Sequence, residues 1–250
     1  MKNTLPAVAT PSLDEAIATL ARRYKRANGP VMQLMNRIGG TLENQLDMVP
    51  PAARGQIEVI TSRALEAAYG LAARTPDLGR RGPVAAVMVT GAAGGAGGLA
   101  TALAEIPVTV TLILNAIRAE ARAAGLDPDA LGVREDCLRV FGAGSPLEGD
   151  DGVNTSFLTA RLALTGPTVQ NLITTIAPRL AAILGQKLAA QAVPVFGAVT
   201  GAALNAAFLT YYRELARIRF ALLKLSETHG TEPVLAAFRI AIEPPRIIRA

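Results

Sequence analysis

Few side chains in this 250-residue sequence belong to the types that make and break bonds. It has one histidine, His229, and one cysteine, Cys137. His229 stands in Thr-His-Gly where a long helix should stop. The carbonyl end of a helix favours an imidazolium, so it reads as a cap. Cys137 lies mid-helix between Asp136 and Leu138, where a packed, inert thiol fits better than half of a Cys137–His229 nucleophilic pair. No H-E-x-x-H, C-x-x-C, G-x-S-x-G or G-x-x-x-x-G-K-[ST] pattern occurs. Asp150-Asp151 lacks the periodic ligands and closing Glu of a calcium loop. The Gly94–Gly98 cluster lacks the strand before and the lysine after that a phosphate loop needs. The motifs therefore predict no catalytic residue, no metal and no cofactor.

Polar residues set beside apolar runs are the better candidates. Glu105 closes one charge-free run, and Lys187 and Arg213 bracket another. A buried carboxylate needs a counter-charge, so Glu105 is predicted to pair with Lys187 or Arg213 across packed helices. At 100° per residue Thr111, Asn115, Arg118 and Arg122 fall in a narrow arc, read first as a solvent face and second as a polar seam lining a cleft. Gly197, Gly201, Asn205, Phe208 and Tyr212 also share one face, where an amide and a phenol need partners if buried. The candidate polar site is thus Glu105, Asn115, Arg118, Lys187, Asn205 and Arg213.

Two long charge-free runs must carry these groups. Leu188 to Tyr212 holds 25 residues without a charge, enough to cross a bilayer on length, for which about 20 suffice. Yet the run is rich in Ala and Gly, and Pro194 divides it. It reads as a tightly packed central helix before it reads as an anchor. In the other run, Gly82 to Ala104, the pairs Gly91/Gly95 and Gly94/Gly98 repeat at four-residue spacing, which permits close helix contact. Gly costs about 1 kcal/mol relative to Ala inside a helix, so the cluster needs tertiary contact to stay helical. A packing seam of Gly91, Gly94, Gly95 and Gly98 against Gly197 and Gly201 is expected.

The remaining chain reads as helices separated by short turns, with no β-alternation. Ser12–Ala27, Pro30–Met48, Pro51–Arg74, a helix opened by Pro107 and stopped at Gly125, one restarted by Asp127-Pro128 and ending near Phe141, a charge-free stretch from Leu162 to Pro178 broken by Gly166-Pro167, and Glu232–Ile240 bring the total to nine or ten. Residues 145–154 are a polar loop. The expected fold is all-α, one multi-helix domain with Gly/Ala-rich central helices. Its parts are an N-terminal helical region (1–81), a helical core (82–243) and a tail (244–250).

Composition narrows the classes. Hydrophobic residues make up 50% and charged residues 18% of the chain, with mean hydropathy +0.32. That is more apolar than the roughly 25% charged content of soluble domains, while 4% aromatics and no Trp supply poor membrane-interface belts. The formal charge of +5 is scattered without an aromatic stacking pattern, which argues against nucleic acid and leaves an anionic lipid surface as a partner. One cysteine fits a reducing compartment. The N-terminus lacks the apolar core of a signal peptide, so a cytoplasmic location is expected, with peripheral contact at the inner face of the cell membrane.

Several segments together resemble the bacterial EcsC family. Glu105–Pro128 carries its acidic-x-Pro, Thr-rich apolar helix and Ile-x-x-x-Ala-x-x-x-Gly spacing at Ile117, Ala121 and Gly125. Arg134–Phe141 resembles the next family helix. Lys187, Pro194, Gly197, Gly201 and Asn205 resemble its Lys…Pro-x-x-Gly…Gly…Asn signature, and Tyr212–Gly230 its closing helix. Where family members carry His-Phe after Ala-Arg, this chain has Ile218-Arg219-Phe220, and Lys224-Leu225-Ser226-Glu227 replaces the usual basic-acidic ending. The resemblance implies a non-catalytic accessory protein, membrane-associated or lipid-binding, linked to transport, secretion or envelope processes. Two alternatives stay open. One is a hydrolase with its site near Glu105, Asn115, Arg118, Asn205 and Arg213, and the other is a soluble module that binds a protein partner.

Overall fold

In the computed structural model the described residues are 12–27, 51–71, 82–96, 98–141, 169–191 and 197–242. They form eight helices and no strand. These are α1 (Leu13–Ala27), α2 (Pro51–Leu71), α3 (Gly82–Ala96), α4 (Gly98–Ala123), α5 (Leu131–Phe141), α6 (Val169–Gln191), α7 (Gly197–His229) and α8 (Thr231–Ile242). The fold is all-α. The predicted helix over 30–48, the polar loop and the tail lie outside the described residues.

Helix α7 is the axis. Its 33 residues extend about 50 Å at 1.5 Å per residue. It packs against α1, α3, α4, α5, α6 and α8, while α2 covers α4 and α6. The core is one cluster to which every described helix contributes, from Ile17 and Leu20 of α1 to Phe238 and Ile242 of α8. Around α7 the aromatic rings gather, with Tyr212 5.3 Å from Phe141 and 5.4 Å from Tyr211 between ring centroids. Tyr24 of α1 meets Phe238 of α8 edge-on at 6.2 Å. Such pairs contribute about 0.5–1.5 kcal/mol beyond their burial.

Local chemistry explains most helix ends. Ser12 and Glu15 form a reciprocal capping box at α1, the Glu15 N–H donating to Ser12 Oγ at 3.3 Å and the Ser12 N–H to Glu15 Oε2 at 3.2 Å. Helix α4 stops at Gly125, whose φ of 75° suits a residue without Cβ. The Leu126 N–H reaches back to the Ala121 carbonyl at 3.0 Å and the Gly125 N–H to that of Arg122 at 2.9 Å, a Schellman closure. Helix α7 ends at His229, which is exposed, before Gly230.

Two expectations need correction. Pro107 does not open a helix but lies inside α4. Its missing N–H leaves the Leu103 carbonyl unbonded within the helix, yet Ile106 and Val110 are both about 1% exposed, and their burial carries the helix through. Asp127-Pro128 likewise does not start α5, because the Asp127 carboxylate accepts the Asp129 N–H at 2.9 Å and holds a turn that delays the helix to Leu131. The run Leu188–Tyr212 is divided between α6 and α7, and among the described residues no helix is long and apolar enough to cross a membrane.

Candidate functional site

The charge-free half of α7 meets α3 at a point where there is no room for a side chain. A Cβ added at Gly91 would lie 2.6 Å from Asn205 Nδ2 and 2.7 Å from the Gly201 carbonyl carbon. The two helices therefore touch backbone to backbone. The surroundings of Gly94, Gly95, Gly98 and Gly197 are outside what is described, and the described contact is that of Gly91 with Gly201 and Asn205. Asn205, fully buried, sits one turn from Gly201 and ties three helices. Its Nδ2 donates to the Val87 carbonyl of α3 at 2.8 Å and to Glu105 Oε1 of α4. Glu105 Oε1 also accepts from Thr109 Oγ1 at 3.0 Å. Asn205 and Glu105 thus share one buried polar knot.

The rest of the candidate set lies elsewhere. Arg213 faces Glu120 of α4 at 3.4 Å. Lys187 belongs to α6, but its side chain is outside the described residues, and with it the expected Glu105–Lys187 pair. Arg118 is buried at 3% exposure and donates to the Pro128 carbonyl at 3.2 Å and to Asp129 Oδ1 at 2.8 Å. That guanidinium holds the Asp129 carboxyl below its usual range. The Asn115 Nδ2 is buried without a hydrogen-bond partner among the described residues. The arc read first as a solvent face is therefore mixed: Arg118 is buried, Thr111 and Asn115 are half-buried, and only Arg122 is exposed. Thirteen residues separate Glu105 from Arg118 along α4, about 20 Å, and eight separate Asn205 from Arg213 along α7, about 12 Å. The five groups of the hydrolase reading are strung along two helices rather than gathered in one pocket.

The charged half of α7 holds residues that the sequence reading passed over. The Glu120 carboxylate lies between Arg213 and Arg217, and Arg217 grips it with two bonds of 2.8 Å. Arg217 also reaches Glu214 at 2.5 Å, which in turn bonds Arg23 of α1 at 3.2 Å. The hydrogen bonds that Arg217 donates to Glu120 raise its pKa further. Deeper still, Arg219, 1% exposed, pairs with Asp136 of α5 at 2.6 Å. Each of these hidden charges occupies a core stripe. Arg219 follows Tyr212, Leu215 and Ala216 at helical spacing, Asp136 lies between Val133 and Val140, and Glu120 follows Ile113, Ala116 and Ile117.

Cys137 is buried, and burial pushes its thiol up to about 12. A thiol so far from ionisation is no nucleophile, and His229 is exposed at the end of α7. Among the described residues no group of His, Cys, Asp and Glu is arranged to hold a metal ion.

The architecture defines an all-α protein built on a central helix, one half apolar and backbone-packed, the other laced with buried arginine–carboxylate pairs. Residues 80–222, from just before α3 into α7, match the EcsC protein family, and the chain belongs to that family. Neither the curated proteins nor the solved structures contain a match to it.

Proposed function

We propose that this EcsC-family chain is a non-catalytic accessory protein that docks peripherally on an anionic membrane, at the inner face of the cell membrane, through the outer side of α3 and α4. One observation carries this reading. Helix α3 has no charged residue, buries Val87 and Gly91 against the bundle, and turns Met88 (43% exposed) and Val89 (70%) outward. On the adjoining α4, Val108 is 45% exposed, and Thr101 and Ala104 are exposed with it. Exposed apolar side chains on the charge-free α3 and on its neighbour, neither of them long and apolar enough to cross a membrane, suit interfacial contact, and a net charge of +5 adds attraction to anionic head groups.

Vesicle flotation tests it. The chain should float with vesicles containing phosphatidylglycerol at low salt, less with pure phosphatidylcholine, and severalfold less after Val89→Asp. Absence of flotation at low salt with anionic vesicles would sink the reading.

A further inference from the structure

Helix α1 lies outside the residues matched to the family, and its outer face is self-complementary. An open groove of about 760 Å³ runs between α1 and α7, lined by Glu15, Thr19 and Arg22 of the first and Ala221, Lys224 and Leu225 of the second. Glu15, Ala18, Thr19 and Arg22 are all exposed and fall within about 100° of helix arc. Acidic residues occupy the first turn, Asp14 and Glu15, while Lys25 and Arg26 close the last. Only the small Ala18 and Thr19 stand between Glu15 and Arg22 on this face.

We propose that two copies of this chain meet here, their α1 helices antiparallel about a two-fold axis passing between Ala18 and Thr19. The register follows from symmetry. An axis between positions 18 and 19 sets Glu15 of each copy opposite Arg22 of the other, so one ion pair forms twice. Glu15 and Arg22 are seven residues apart, about 10 Å along the helix, and the axis lies midway between them. Small side chains at the crossing let the helices approach to the near end of the usual 8–10 Å. Glu15 keeps Oε2 on the Ser12 N–H, and Oε1 is left for the guanidinium of the other copy. The apolar floor of Ala221 and Leu225 flanks the crossing, and the parallel pairing would set like charges together. This surface is separate from the α3–α4 side, so the dimer stands or falls independently of membrane docking.

Sedimentation equilibrium of the full chain is the test. The mass should rise with concentration from 25.9 kDa toward twice that value, and fall again as salt screens the pairs. Arg22→Glu turns two attractive pairs into two repulsive ones and should raise the dissociation constant by about tenfold or more. The double variant Glu15→Lys/Arg22→Glu should restore the dimer. Ala18→Arg, at an exposed position, should leave circular dichroism unchanged and the chain monomeric. Ala18→Cys should cross-link two copies on oxidation, since the buried Cys137 stays out of reach. A chain monomeric at every concentration overturns the proposal, as does a dimer indifferent to Ala18→Arg and Arg22→Glu. A monomer that carries a phospholipid in native mass spectrometry, lost in Arg22→Glu, would overturn it too and assign the groove to lipid.

Discussion

The two halves of α7 do the same job by opposite means. From Gly197 to Tyr212 the helix has no charge, and it holds α3 by direct backbone contact at Gly91–Gly201 and α4 through the Asn205 amide. From Arg213 to His229 it holds α4, α5 and α1 through guanidinium–carboxylate pairs to Glu120, Asp136 and, by way of Glu214, Arg23. In the first half the interaction depends on the absence of atoms; in the second it depends on long side chains meeting after desolvation. The first half is therefore intolerant of added volume and the second of lost charge.

The largest effect should come from Arg219→Met, which leaves the buried Asp136 with Arg139 at 3.4 Å as its remaining described cation. Removing one partner of a buried pair costs about 3–5 kcal/mol, readable in chemical denaturation. The contrast sharpens with Arg219→Met/Asp136→Leu, which should recover much of the loss, since a packed apolar pair often matches a buried ionic one. Gly91→Ala comes next at about 1–3 kcal/mol, because its methyl meets backbone that must move. Adding Asn205→Ala relieves one of the two clashes, so the double variant should be less destabilised than the sum of the singles. Arg23→Ala, removing a pair whose arginine side chain is 44% exposed, should cost under about 1 kcal/mol and vanish at high salt. The smallest effect concerns Asp129. Arg118 lowers its pKa in the folded state, so this contribution is complete above the ordinary value of 3.8. It is lost as pH falls through the lower folded value. Acid unfolding of Asp129→Asn should accordingly lack this small component.

Sequence reasoning reached the apolar half more readily than the charged one. The four-residue glycine spacing points to a small-residue contact for α7 on α3, the start at Ser12 and the stop at Gly125 follow from local chemistry, and Asn205 stands out as an amide in need of partners. All of these depend on residue type and short-range spacing. Arg219, Asp136 and Glu120 are not legible in this way, because in the sequence it is the charge-free runs that mark the core. The charges that such a pattern brings forward are those that close or bracket the runs, Glu105, Lys187 and Arg213. The partner that makes Arg219 tolerable inside is 83 positions away, a separation that no local pattern carries. Its place on the Tyr212–Leu215–Ala216 stripe was the available signal. The spread of the candidate polar set has a related cause: Glu105, Asn115 and Arg118 share a helix, and residues on one helix spread along its axis however similar their chemistry.

The Gly91–Gly201 contact also has a mechanical meaning. It works as a detent between two rods. Turning α3 by one residue in either direction along its screw would bring the Cβ of Thr90 or Ala92 into a notch that admits only hydrogen, so the contact opposes that slip of α3 on α7 while leaving separation open.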